Sequence, residues 1–309
     1  LTPTVITDVL LLRTLCKKFI SSFFNKPLFG EVFFCLNNIV LSRNKMTALI
    51  DPKKYSETVD LLRSFFLSKN FLEVHTQNRL SILAACEDPE TVATYEYNGQ
   101  VWPLPQTGQM WLEYELLSNP SVEGFFCVST SYRAEPNPVE GRHETIFPMF
   151  EFEMKGGVKE LEDLEKELCE WIGLPLEQLN CKTYAEWEKE FRTDELDHAH
   201  ELAIGRGMIT KFPERTSPFW NMARNADDTS KKIDVILGGM ETIGSAERST
   251  DKEQMRETFH TISEGQYAEL LYKLFGKERV EKELDEFLSF DFFPRSGGGI
   301  GMQRLMSAL

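Results

Sequence analysis

Tyr132-Arg133-Ala134-Glu135, then Arg142-His143, then Phe147-Pro148-Met149-Phe150-Glu151 is the stretch on which the reading of this chain turns. It is bracketed by two apolar, β-prone runs, Phe125 to Tyr132 and Ile146 to Met154, with a break at Pro136, Pro138 and Gly141 between them. Two strands joined by a polar loop are expected. Alternate residues of a strand share a face, so Arg133 and Glu135 are expected to point the same way. A guanidinium fixed on a strand is suited to phosphate, because its planar fork meets two oxygens at once. Glu135 can accept from an exocyclic amine or hold a metal, and Phe147 offers a flat face to a purine. Arg142 and His143 return on the far side of the loop. Taken one at a time, the commoner meaning of these residues is a surface Arg–Glu pair and a core Phe.

Outward from this hairpin, Asp51-Pro52 opens a helical pattern carried by Tyr55, Val59, Leu62, Phe65 and Phe66. Phe71 to Val74 and Trp102 to Gln106 read as strands, and Met110 to Leu117 as an amphipathic helix. Val158 to Ile172 reads as a helix with its acids on a solvated face. Ile233 to Leu237 is a strand ending in Gly238-Gly239, and helices are expected over 251–263 and 266–287, with a last one from Met302. Strand pairs separated by loops, with helices late in the chain, give an α+β class: an antiparallel β-sheet flanked by helices.

Three further segments carry polar chemistry. In Gly299-Ile300-Gly301-Met302-Gln303-Arg304-Leu305, bare strand positions let a ligand approach the backbone, and Arg304 opens a helix. The run lacks the Gly-Lys-Ser/Thr of a P-loop. In Gly239 to Arg248, Glu241 could hold Mg²⁺ against phosphates and Arg248 could read a substrate carboxylate or amide. In Leu104-Pro105-Gln106-Thr107-Gly108-Gln109, Gln106 and Gln109 are suitable pins for an α-amino acid. Alone, each segment also reads as an ordinary turn or a strand-edge ion pair.

The 309 residues hold 49 acids against 34 bases, a net charge of −15. That balance excludes a general nucleic-acid coat, though a local basic groove is compatible with it. With 23 Phe, 5 Trp and 8 Tyr the composition is that of a folded chain. Cys16, Cys35, Cys86, Cys127, Cys169 and Cys181 show no paired CxxC spacing and read as thiols of a reducing compartment. His198 and His200, beside Asp194 and Asp197, read as part of an acidic exposed helix rather than a metal cluster. Residues 1–45 differ in being basic, with Arg13, Lys17, Lys18, Lys26, Arg43 and Lys45 against Asp8 and Glu31. No apolar run there is long enough to span a membrane. They read as a targeting segment or, preferably, as non-native sequence before a start at Met46, leaving 46–309 as one domain.

In this order, the four segments resemble the catalytic core of class II aminoacyl-tRNA synthetases, most of all the aspartyl/asparaginyl branch. Tyr132 to Glu135 with Arg142-His143 and Phe147 to Glu151 is similar to that family's second signature motif, and Gly298 to Leu305 to its third. The likeness runs from about Asp51 to the C-terminus. It implies antiparallel strands flanked by helices, ATP bent over the sheet, and attack by the amino-acid carboxylate on the α-phosphorus. By the same likeness Arg133 would clamp the α-phosphate, Glu135 meet the adenine amine, and Arg142 and His143 complete the ATP site. Phe147 and Arg304 would stack on adenine, with Gly301 beside them. Glu241 would hold Mg²⁺, and Gln106, Gln109 and Arg248 would position the amino acid.

The resemblance also implies aspartate or asparagine as substrate, a tRNA acceptor end as partner, a homodimer, and a cytoplasmic place, or a mitochondrial one if residues 1–45 are a presequence. The chain departs from the pattern at several points. Val74-His75-Thr76-Gln77 lacks the proline of the first motif, which weakens the homodimer; Gln303 replaces an acid; Gly244 replaces a serine; and no anticodon-binding barrel precedes the core. Two alternatives stand beside a tRNA ligase. One is an ammonia-dependent, AMP-forming asparagine synthetase, and the other a non-catalytic paralogue that binds nucleotide and amino acid.

Overall fold

The computed structural model describes residues 50–77, 79–82, 91–135, 144–174, 180–216 and 218–309. Arg142 and His143, the loop residues Pro136 to Gly141, and all of residues 1–49 lie outside the described residues.

Asp51 starts the first helix, α1 (Pro52–Ser68): its carboxylate accepts from the Lys53 and Lys54 amides at 2.9 and 3.1 Å, with Pro52 in the first turn. After β1 (Phe71–Glu73) comes a small hairpin of β2 (Thr94–Tyr97) and β3 (Gln100–Pro103). Its turn places Asn98 and Gly99 both at positive φ, as a two-residue connection requires. The predicted strand from Trp102 to Gln106 is therefore displaced toward the N-terminus: Pro103 is its last paired residue, and Pro105 lacks the amide that a longer ladder needs. Then follow α2 (Gln109–Ser118), β4 (Gly124–Tyr132), β5 (Ile146–Lys155), α3 (Val158–Trp171), β6 (Asn180–Thr183), α4 (Tyr184–Phe191), α5 (His198–Ile204) and β7 (Gly207–Pro213). The chain closes with β8 (Thr229–Leu237), β9 (Met240–Arg248), α6 (Lys252–Thr261), α7 (Gln266–Phe275), α8 (Lys277–Leu288), β10 (Arg295–Gly301) and α9 (Met302–Ala308). Gly276, at φ 88° and ψ 133°, breaks the single helix expected over 266–287 into α7 and α8.

Eight strands form one sheet in the order β1-β4-β5-β10-β9-β8-β7-β6. All neighbours are antiparallel except β1 with β4 and β6 with β7. This is the expected α+β class. One face is apolar: Phe126, Phe150, Phe152, Ile233, Val235, Ile243 and Ile300 pack against Val59, Leu62, Phe65 and Phe66 of α1 and Leu161, Leu164 and Leu168 of α3. Phe66 lies against Phe71, Phe126, Phe150 and Phe152, and burying one such ring stabilises by about 1.5–3 kcal/mol. Glu165 corrects the expected solvated face of α3. It falls four residues after Leu161 on the inward stripe and is 0 % exposed.

The opposite face of the same strands is polar. Alternation turns Cys127, Ser129 and Ser131 of β4, Glu151 and Glu153 of β5, Gly297 and Gly299 of β10, and Arg248 of β9 to this side. Leu112 and Leu116 of α2 pack on Phe125 and Cys127 at its edge. No helix among the described residues is long and apolar enough to cross a membrane.

Candidate active site

The ends of five adjacent strands meet at one rim of the polar face: the C-terminal ends of β4, β10 and β8 and the N-terminal ends of β5 and β9. Arg133 follows β4. Its amide donates to the Thr145 carbonyl at 2.8 Å, closing the loop, and its guanidinium lies 5.4 Å from the Phe147 ring centroid. The Arg133 Nε is buried and has no hydrogen-bond partner among the described residues. The expected alternation of Arg133 with Glu135 does not apply, because β4 ends at Tyr132. The Ala134 amide turns instead to the Thr91 carbonyl, and Glu135 lies past the strand end.

β10 ends at Gly301 and passes directly into α9, so Arg304 stands at the same rim. Its Nη1 donates to the Glu241 carbonyl at 2.6 Å. Gln303 donates to Glu144 at 2.8 Å, which ties α9 to the segment leading into β5. A Cβ at Gly299 would stand 2.7 Å from the Met149 methyl, so the bare strand here is a steric requirement.

Glu241 has a partner that sequence reasoning missed. β8 and β9 are in register at Asp234 and Gly244, but pairing shifts between Val235 and Ile236, where Thr242 is the extra residue of a bulge. The bulge brings Glu241 onto the side of Gly244: a Cβ on Gly244 would lie 2.6 Å from Glu241 Oε1 and 3.8 Å from Asp234 Oδ1. Asp234 is buried, and its Oδ1 finds no hydrogen-bond partner among the described residues. Burial first, then the nearby Glu241 charge, push the Asp234 carboxyl up, while Lys232 at 2.8 Å opposes them. Two carboxylates with an unpaired oxygen, over a bare glycine, are hard donors of the kind Mg²⁺ takes, so the residues fit that ion. The signal in the sequence was an acid on β8 seven residues before Glu241, at a distance that only the hairpin register makes short.

Deeper on the same face, Gln106 is tied to β4 through Tyr132, whose amide donates to Pro105 at 2.8 Å. Gln106 Nε2 donates to Thr91 at 2.7 Å, and its buried Oε1 has no partner among the described residues. Gln109 Oε1 accepts from Arg248 at 3.1 Å. Arg248, 1 % exposed, also donates to both oxygens of Glu153 at 3.2 and 3.0 Å, with Glu113 at 3.7 Å. Arg295 donates to Glu113 at 2.9 Å, and Asn221 donates to the other oxygen of Glu113 at 2.8 Å. Burial holds the Glu153 carboxyl above the ordinary range, opposed chiefly by Arg248. Glu151 is raised by burial as well, and it is satisfied by Ser129, Thr107 and the Gly108 amide at 2.9 Å. Glu113, Glu151, Glu153 and Arg295 were not singled out in the sequence, where they read as members of ordinary strands and a helix.

Arg133, Phe147, Gly301, Arg304 and Glu241 thus share one rim, with Gln106, Gln109 and Arg248 on the floor beneath, whereas Arg142 and His143 lie outside the described residues. Exposed His198 and half-buried His200 are elsewhere: Asp197 caps α5 by accepting from the His200 amide at 3.1 Å. Among the described residues no cluster of three metal-binding side chains occurs.

Residues 36–309 match the family model for tRNA synthetases class II (D, K and N). No curated protein matches the chain. Among solved structures, it is similar to asparaginyl-tRNA synthetase from Pyrococcus horikoshii complexed with asparaginyl-adenylate (TM-score 0.68, 18% identity, 83% of this chain and 64% of that one). It is also similar to asparaginyl-tRNA synthetase from Entamoeba histolytica in complex with asparaginyl-adenylate (0.64, 18%, 82% and 62%). A third is the aspartyl tRNA synthetase from Entamoeba histolytica (0.62, 20%, 83% and 54%). The chain spans less than two thirds of the length of these structures, and at such identities the likeness is one of fold. A family model matched along nearly the entire chain, on a fold shared with these structures, places the chain in the class II tRNA synthetases of the D, K and N group.

Proposed function

We propose that this chain activates aspartate or asparagine with ATP, forming an aminoacyl-adenylate and pyrophosphate. The observation that carries the reading is the row Arg133, Phe147, Arg304, Glu241 and Asp234, which lies on five consecutive strands or directly after them. Four strand spacings of about 4.8 Å give about 19 Å, enough for a nucleotide triphosphate folded along the rim.

In the reaction an oxygen of the amino-acid carboxylate bonds to the α-phosphorus, and the bond to pyrophosphate breaks with its electron pair. Such a displacement needs alignment and charge neutralisation more than an acid or a base. Arg133, with its unpaired buried Nε, supplies donors to the α-phosphate, and Phe147 supplies the stacking face. Arg304 supplies a cation for the far phosphates. Asp234 and Glu241 would hold Mg²⁺, which would supply neutralising charge for the leaving pyrophosphate. The unpaired Gln106 Oε1 is an acceptor for the α-ammonium group, and Gln109 with Arg248 faces the side chain.

Exchange of labelled pyrophosphate into ATP, with aspartate and asparagine in turn, tests this reading. Amino-acid-dependent exchange is expected, and adding tRNA or ammonia to the charged enzyme then identifies the acceptor. Nucleotide binding without exchange for either amino acid would leave a binding module instead.

A further inference from the structure

On α8, away from the rim and the floor, one ion pair is bonded to both ends of a single stretch of chain. Arg279 and Glu283 stand four residues apart, and the Arg279 Nε donates to Glu283 Oε1 at 3.0 Å. The other oxygen of Glu283 accepts from the Ser81 amide, from the Ser81 hydroxyl at 2.7 Å and from the Ile82 amide at 3.3 Å. Arg279 Nη2 donates to the Arg79 carbonyl at 3.3 Å, so residues 79–82 lie along this pair. The far end of the stretch is taken by the same guanidinium. Its Nη1 donates to the Val101 carbonyl at 2.8 Å, and the Trp102 ring centroid is 4.7 Å away. Ser81 and Ile82 are fully buried, and Ile82 belongs to the apolar cluster that holds Val280, Leu284 and Phe287 of α8. Glu283 itself is half-buried, and an ionised acceptor binds its donors more strongly than a neutral one.

Between its two clamped ends this stretch carries Thr91, which is buried and bonded twice to the site. Its hydroxyl accepts from Gln106 Nε2 at 2.7 Å, and its carbonyl accepts from the Ala134 amide at 2.9 Å. Beside it, the Leu104 amide donates to the Ala93 carbonyl at 2.8 Å, which fixes the spacing of the two arms. The main chain at Arg133 is held a second time, by its own amide on Thr145. The Gln106 amide depends more on Thr91. A carboxamide has a donor end and an acceptor end, and holding Nε2 on Thr91 presents Oε1, which has no partner among the described residues. Released, the group can turn over and offer NH₂ to a cation. We propose that Glu283 is a positioning residue for the amino-acid substrate: with Arg279 it fixes the stretch that carries Thr91, and Thr91 keeps the oxygen of Gln106 toward the α-ammonium group. The inference rests on the reading above, in which Gln106 accepts from that group. Glu283 acts only through Ser81, Ile82, Arg279 and the chain they hold.

Pyrophosphate-exchange kinetics and titration calorimetry with aspartate and asparagine, both on the full chain, test this. Glu283→Gln keeps the shape of the side chain and removes the charge that gathers the Ser81 and Ile82 donors. The amino-acid KM and dissociation constant should rise about tenfold, while the ATP KM and kcat stay within about threefold of the parent. A purely structural loss would lower the melting midpoint and the active fraction without this split. Thr91→Val removes the acceptor of Gln106 and should raise the amino-acid KM in the same way. Combined with Glu283→Gln it should add little, since both act through one contact. Parental amino-acid affinity in a folded Glu283→Gln variant overturns the inference, as does a double variant whose two effects multiply in full. Should Glu283→Gln not fold, Arg279→Lys carries the same comparison, because an ammonium cannot span Glu283, Arg79 and Val101 together. If the parent binds an amino acid but exchanges nothing, the activation reading fails, and the affinity ratio of parent to variant still decides the inference. If the parent exchanges and the variant keeps its affinity, the inference alone fails. Binding of neither amino acid by the parent removes both.

Discussion

Glu153 and Arg248 are joined across an intervening strand: the carboxylate from β5 passes over Gly297 of β10 to reach the guanidinium on β9. A buried ion pair is thereby made by two residues 95 positions apart, across a position where the strand between them is bare. Removing one partner of such a pair is costly because the other is left buried and uncompensated.

Gly297→Ala tests the crossing. The added methyl would overlap both the Glu153 carboxylate and the Phe152 carbonyl oxygen, and the second is main chain. A loss on the order of 3 kcal/mol is expected, with a fall of roughly 5–10 °C in the melting midpoint. Truncating Glu153 to Ala in the same chain should not recover it, since the Phe152 carbonyl remains in the way and Arg248 is left uncompensated. An unchanged midpoint would show that the strand relaxes freely.

Arg133→Ala should reduce amino-acid-dependent exchange by at least about a hundredfold, because the reaction relies on fixed charge at phosphorus. Arg133 is half-buried and stacks on Phe147 at the rim rather than in the core, so the thermal midpoint should change little. Normal exchange in this variant would remove Arg133 from the reaction.

Asp234→Asn and Glu241→Gln should each raise the Mg²⁺ concentration giving half-maximal exchange by about tenfold or more, since each removes one hard anionic donor. Direct Mg²⁺ titration in the presence of ATP should shift in the same direction. If only Glu241→Gln responds, Asp234 is a neighbour and not a ligand.

Glu165 makes the fold itself sensitive to pH. Burial pushes its carboxyl from about 4.5 up to about 8. The folded state therefore binds this proton more tightly than the unfolded chain. The associated stability is fully present below about pH 4.5 and is lost progressively as pH rises through about 8. Glu165→Gln cannot ionise, so its melting midpoint relative to the parent should climb between pH 5 and pH 9. A difference that stays constant over that range would show that Glu165 does not titrate there.

Arg133, Arg304 and Glu241 were legible in the sequence because each stands where a β-prone run meets glycine or proline, which is where strands end and side chains become available. Asp234 was not. Lys232-Ile233-Asp234-Val235 alternates like any strand with one wet face, and its closeness to Glu241 depends on a bulge that no local pattern announces. Glu113, Glu153 and Arg295 were missed for a related reason: a charged residue in isolation reads as solvated, and only its distant partner makes burial tolerable. Glu165 was misassigned because three of its neighbours on α3, Glu160, Glu162 and Asp163, truly are on the wet side, and one acid sits four residues after an inward leucine. The α+β class and the strands at the centre of the sheet were readable, whereas β2, β6 and β7 were not named. The division of 266–287 at Gly276 was not, since a lone glycine is tolerated inside many helices.

The single surplus residue in β9 has a consequence for how this rim can vary. In a regular strand two residues three apart face opposite ways, yet Glu241 and Gly244 share a side because Thr242 restores the phase. Regular pairing at the present length would turn Glu241 into the phenylalanine-rich layer behind the sheet, whereas loss of Thr242 would leave Glu241 two residues before Gly244 and on the same side. The side on which this carboxylate stands is thus set by the residue count of the hairpin rather than by its own packing. Chains that shorten this hairpin by one residue would keep the acid at the rim, and chains that pair regularly at this length would lose it from there while keeping their fold.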